Sequence, residues 1–258
     1  MADLGSAEAF REWTTKPRPW GEGASVAFGG GVINHLIAGL DGADAAIGCV
    51  PWFTSNAVAE RFEPMKTCII VDKRALTGGD RRVIDRLLAK DWEESGFPVD
   101  ALRRDSVSML LRHDGTENYE PIRVAGRARP KSGGWAPLVH AKLLVVGRLH
   151  YREYEADTGA GPAYWHRYSF HPMRAWVGSA NCTHSATAGI ELGMWITEPL
   201  FVAEATAFLS DLILNYSEAP GSASELPAPE RFTDESEYWA DFEPDYDFIA
   251  RPNESFEG

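Results

Sequence analysis

Five residues of this chain have the types and spacing to handle a phosphate group. His140 and Lys142 stand two apart in VHAKLLVVG. Ser179 and Asn181 stand two apart in WVGSANCTHSATAGIELGMWI, and Glu191 follows ten positions after Asn181. An imidazole can attack phosphorus or pass a proton near neutral pH, because its ordinary pKa is about 6.5. A lysine ammonium presents a compact positive charge and three donors to non-bridging oxygens. Hydroxyl and amide donors can follow those oxygens as charge builds in a transition state. A glutamate can accept the second ring N–H of a histidine, fixing its tautomer and stabilising the imidazolium.

Such a set works only if the chain gathers it. Both stretches read as buried β-strands, short aliphatic and β-branched runs closed by Gly or polar residues. Residues i and i+2 of a strand share a face, so His140 and Lys142 are expected on one side, and Ser179 and Asn181 likewise. Two such strands side by side would converge all four groups on one spot. The plain alternative is a satisfied core histidine, a lysine stretching to solvent and a GSAN turn.

HAK, then GSAN, then IELG resembles the phospholipase D superfamily, whose signature is HxKxxxxD followed by GSxN and often by a glutamate on the next strand. The likeness covers residues 138–196, and more loosely GADAAIGCVPWFT and KTCIIVDKRAL. Gly147 stands where the pattern has aspartate, a departure shared by tyrosyl-DNA phosphodiesterase-like members. The resemblance implies an α/β fold with a mixed sheet flanked by helices, dimerising about a two-fold axis. It implies a metal-independent phosphodiesterase acting through a phosphohistidine, with His140, Lys142, Ser179, Asn181 and Glu191 as the catalytic set and no cofactor. The chemistry uses two HxK sets and the chain has one, because neither His35 nor His113 has a lysine two residues on. A homodimer with one composite site is therefore expected. Nucleic acid, DNA before RNA, is the expected substrate. A phospholipase or phosphatidyltransferase, and a catalytically inactive binding or assembly module, are the alternatives.

The rest of the chain bounds these readings. Its 258 residues, 44% hydrophobic and 24% charged, suit one soluble α/β domain. Cys49, Cys68 and Cys182 lie at unrelated spacings, which points to free thiols in a reducing compartment and to no zinc motif. The opening MADLGSAEAFREW has no basic, then apolar, leader, and no run approaches the roughly 20 apolar residues of a membrane span. A cytoplasmic protein with no membrane partner is expected.

Three segments are expected: an N-terminal segment over 1–31, a domain over 32–216 that the resemblance makes phospholipase D-like, and an acidic aromatic tail over 217–258. The glycine- and proline-rich stretch 16–31 reads as loop. Helices are expected over 32–40, 57–62 (capped by Ser55 or Asn56), 80–90 and 198–216, the last burying Phe201, Ala205, Phe208, Leu209, Leu212 and Ile213. Strands are expected over 43–52, 67–71, 106–112 and 120–125. Arg123, Arg127, Arg129 and Lys131, with Trp135, precede the catalytic strand and suit a ridge tracking a nucleic-acid backbone, or a solvated loop. Residues 148–174, rich in aromatics and histidines, read as a lid or rim near the site, with His166 as a substrate-binding residue. His166 and His171 are also candidates for a second catalytic imidazole. The tail holds twelve acidic and two basic residues, hence −10 of the net charge of −13. It reads as a docked or disordered tail, as a nucleic-acid mimic over a basic site, or as a surface for a further protein partner.

Overall fold

The computed structural model describes residues 18–19, 23–76, 81–90, 95–102, 118–126, 139–157, 162–183, 186 and 191–220, with backbone alone at 18–19, 154, 156–157 and 162–166. The strands are β1 (Arg18–Pro19), β2 (Ala24–Phe28), β3 (Ala45–Cys49), β4 (Lys66–Asp72), β5 (Phe97–Pro98), β6 (Asn118–Tyr119), β7 (Ile122–Ala125), β8 (Leu143–Asp157), β9 (Pro162–Gly178) and β10 (Leu192–Ile196). The helices are α1 (Val32–Ala38), α2 (Asn56–Phe62), α3 (Arg82–Leu88) and α4 (Pro199–Tyr216).

Eight strands form one sheet in the order β1-β2-β10-β9-β8-β3-β4-β7. The sheet is mixed: β3, β4 and β7 run parallel, and every other neighbouring pair is antiparallel. The central runs AAIGC and KTCIIVD are buried almost throughout, as strands covered on both faces must be. On one face Ile69, Val71, Leu144, Val146 and Trp176 pack with Leu36 of α1, Phe62 of α2 and Ile84 of α3. On the other, Ile47, Ile70, Val145 and Ala175 pack with Val202, Leu209 and Ile213 of α4. The α/β layering read from the alternation of elements is therefore the architecture found.

Local chemistry sets the element ends. The Ser55 hydroxyl accepts from the Val58 N–H and caps α2. Glu198 accepts from the Leu200 and Phe201 N–H groups and Pro199 opens α4. The buried stripe of α4 is Val202, Ala205, Leu209 and Ile213, whereas Phe201 and Phe208, expected inside, are exposed.

Two expectations are corrected. Residues 16–31 are not all loop: Ala24–Phe28 is a sheet strand registered against Leu192–Ile196, with Val26 and Ala27 buried. Glycine-rich flanks, with Gly23 at φ +84°, hid its apolar alternation. The sheet domain thus starts before residue 32. The stretch 148–174 is not a lid either, because β8 and β9 continue through it as an antiparallel hairpin from Leu143↔Val177 to Asp157↔Pro162. Its tyrosines and phenylalanine are strand formers, and they extend the ladder where loop length alone suggested a rim. Beyond Gly147 this ladder has no third strand among the described residues, since β3 ends its pairing there and β10 pairs only with Ala175–Gly178. The expected strand at 106–112 lies outside the described residues. The start of the tail is seated: Glu218 exchanges backbone hydrogen bonds with Val124, and its carboxylate pairs with the Lys73 ammonium. The rest of the tail lies outside the described residues.

Candidate active site

The site forms where strand ends meet. Leu143, the first residue of β8, is registered with Cys49, the last of β3, and with Val177 near the end of β9. His140 and Lys142 lie just before β8, and Ser179 and Asn181 just after β9, so both pairs cap strands rather than sit within them. The Gly178 N–H donates to the Lys142 carbonyl at 3.3 Å and ties the two capping segments together. A side chain at Gly178 would meet the Leu192 carbonyl at 2.6 Å, so glycine is what permits this close approach.

Spacing by two does place His140 and Lys142 together. The Lys142 Nζ lies 3.0 Å from the His140 Nε2 and donates more weakly to the His140 carbonyl at 3.4 Å. Such a donation requires the facing ring nitrogen to be unprotonated, the state in which it can act as a nucleophile. His140 is exposed while Lys142 is 8% exposed. The imidazole therefore faces solvent above a buried ammonium.

Ser179 and Asn181 do not share one environment, contrary to the strand argument. Ser179 is exposed; its hydroxyl donates to the Glu191 carboxylate and accepts from the Leu192 N–H at 3.0 Å. Glu191 is thus joined to the GSAN segment through a hydroxyl, where an imidazole partner was expected. Asn181 is 2% exposed, and neither its amide nitrogen nor its amide oxygen has a hydrogen-bond partner. A buried amide without protein partners costs free energy, so its place in the fold is one that packing alone does not favour. The next residue is fixed, because the Thr54 and Ser55 N–H groups donate to the Cys182 carbonyl at 2.9 and 2.8 Å. Burial pushes the Cys182 thiol up to about 12, so it is a packing residue and not a nucleophile.

Asp72, at the end of β4, went unnoticed in the sequence. It is fully buried, and its carboxylate accepts from the Arg74 Nε at 2.7 Å and from the Val139 N–H at 3.3 Å. It therefore holds the backbone one residue before His140. An acid closing the run KTCIIVD was the available signal. Burial above all, then the Asp72 charge, pushes the Cys49 thiol up to about 12, and Lys142 opposes them.

The remaining expected site residues are not gathered here. Arg127, Arg129, Lys131 and Trp135 lie outside the described residues. Arg123, from the same basic run, is committed elsewhere: its guanidinium binds Glu120 at 2.7 Å and Ser217 at 2.6 Å. His166 sits on β9 opposite Glu153, ten strand residues from Leu143 or roughly 33 Å along the ladder. The ladder thus carries His166 away from His140, and it carries Glu153 and Asp157 away from any role in place of the acid missing at Gly147. His171 lies opposite Arg148 and stacks on His150 with ring centroids 4.1 Å apart, also away from the site. Among the described residues no three His, Cys, Asp or Glu side chains are placed to hold a metal ion.

No protein-family model matches the chain, and no curated protein matches it. Among solved structures it is similar to NucT from Helicobacter pylori, with TM-score 0.44 and 12% identity over 76% of this chain and 98% of that one. It is also similar to Nuc from Salmonella typhimurium, a phospholipase D family member, with TM-score 0.41 and 15% identity over 76% of this chain and 97% of that one. At that depth of overlap it is the side-chain geometry that carries a functional reading.

Proposed function

We propose that this chain is a phosphodiesterase of phospholipase D type, most simply a nuclease, whose site is completed by a second copy across a two-fold axis. The observation that carries it is the exposed His140 ring nitrogen 3.0 Å from the buried Lys142 ammonium, on a segment tied by the Gly178 N–H to the one that holds the buried Asn181 amide. A ring nitrogen of His140 attacks phosphorus, the N–P bond forms and the P–O bond to the leaving group breaks. The protonated His140 of the second copy gives its proton to the leaving oxygen. The same imidazole, now neutral, takes a proton from water; that oxygen bonds to phosphorus and the N–P electron pair returns to the first ring. Lys142, Asn181 and Ser179 stabilise the non-bridging oxygens. Two facing imidazoles divide their protons by mutual repulsion, one acid and one nucleophile.

The test uses bis(4-nitrophenyl) phosphate, single-stranded DNA and duplex DNA, each with EDTA. EDTA-resistant turnover that falls at least ~10³-fold in His140→Ala supports the reading. Absence of turnover on every phosphodiester overturns it and favours the inactive binding module, which the glycine at position 147 also favours.

A further inference from the structure

Past Gly147 no third strand pairs with the β8–β9 hairpin among the described residues; the Asp44 and Asp100 carboxylates accept from the Leu149 and Tyr168 N–H groups along its edges, and its two faces differ in charge. Leu149 and Phe170 pack toward the α4 side of the sheet, and Tyr151 and Tyr168 follow them with rings 5.2 Å apart. The acid at Glu153 belongs to that side too, accepting from the Tyr151 hydroxyl at 3.0 Å. Strand alternation puts the intervening residues on the opposite face, in three cross-strand rows: Arg148 with His171, His150 with Ser169, and Arg152 with Arg167. The stacking of His150 on His171 is the contact expected of residues sharing that face.

This second face holds three arginines and two histidines, and none of its six residues is acidic. Arg148 and Arg152 are exposed. Among the described residues no carboxylate pairs with Arg148, Arg152 or Arg167. Arg152 stands directly across from Arg167, and like charges so placed work against the sheet. The Arg167 Nε is moreover buried without a partner. An anion lying over the row would relieve the repulsion between the two guanidinium groups. Rows repeat every two residues, about 6.8 Å, so the face is a linear array of cations roughly 14 Å long. A chain of regularly spaced anions matches it better than any single one.

We propose that this face binds the sugar–phosphate backbone of a nucleic acid, at a surface separate from the His140 site and roughly 17 to 30 Å along the same ladder from it. The contacts are to phosphates, so binding is independent of sequence. The chain as a whole is acidic, at −13, so the attraction is local to the ribbon and screened within a Debye length of about 10 Å at 0.1 M salt.

Binding is tested in the full chain carrying His140→Ala, so the result does not depend on turnover. The probe is a labelled duplex DNA of about 30 base pairs, titrated across about 50 to 200 mM salt. Adding Arg152→Gln and Arg167→Gln should weaken binding at low salt at least ~10-fold and make the slope of log K against log salt shallower by about two. Arg152→Lys with Arg167→Lys should bind like the parent, which separates lost charge from a misfolded ribbon. An unchanged slope and affinity in the glutamine variant overturns the proposal, and so does a parent chain that does not bind DNA. Salt-sensitive self-association without DNA binding would assign the face to another copy's acidic tail and overturns it as well.

Discussion

Asn181 is where a structural cost and the proposed chemistry meet. Its amide is buried and unpaired, and an orphaned buried polar group typically costs about 1–3 kcal/mol. Asn181→Leu, close in size and without polar atoms, should therefore raise the melting temperature, by about 2–4 °C for each kcal/mol recovered. The same substitution should lower turnover about 10²-fold by removing a transition-state donor. Thermal melts and kcat measured together check this, and unchanged turnover would remove Asn181 from the site. At this scale the sequence was partly legible. His140 and Lys142 meet because two-residue spacing preserves a face even just outside the strand. Ser179 and Asn181 part company because a bend follows Gly178 and turns one outward and the other inward. Asp72 showed only as an acid closing an apolar run, and its role is a hydrogen bond to the Val139 backbone, sixty-seven residues away, which no local pattern encodes.

Between elements, the telling position is Gly147. The motif resemblance expects an acid there, and introducing one seems a way to improve the site. The structure argues the reverse. The ladder slips register between Val146 and Gly147, and a Cβ at 147 would fall 2.1 Å from the His171 carbonyl oxygen. That neighbour is backbone, so β9 itself would have to move. Gly147→Asp should destabilise the chain by roughly 1–3 kcal/mol or more without raising turnover. Chemical denaturation with a turnover assay tests it; a more active or unperturbed variant would show that the hairpin can open at this point. The same irregularity explains the misreading of 148–174. Strand periodicity slips at the bulge, and past it arginines and histidines alternate with Leu149, Tyr151, Tyr168 and Phe170, so no apolar run of the core-strand kind marks where pairing continues. Helix ends were easier, since Ser55 and Pro199 act through neighbours a turn away.

For the whole molecule, the proposed chemistry needs two histidines, and two copies must supply them. Co-expressing the unaltered chain and His140→Ala in equal amounts gives about one quarter of pairs with both rings. Activity should fall to about a quarter per total protein, whereas independent subunits would keep half. Purified mixtures with tagged and untagged copies distinguish the two. Layering and the sheet core were readable because central strands are apolar throughout, while partner copies leave no such signature in composition.

The length of the β8–β9 ladder has one more consequence. Nine strand steps separate Leu143 from Arg152, about 30 Å, or the rise of roughly nine base pairs. A rigid span of that size acts as a ruler. Oligonucleotides too short to bridge it engage one end at a time, and catalytic efficiency plotted against substrate length should step upward once both ends are occupied together.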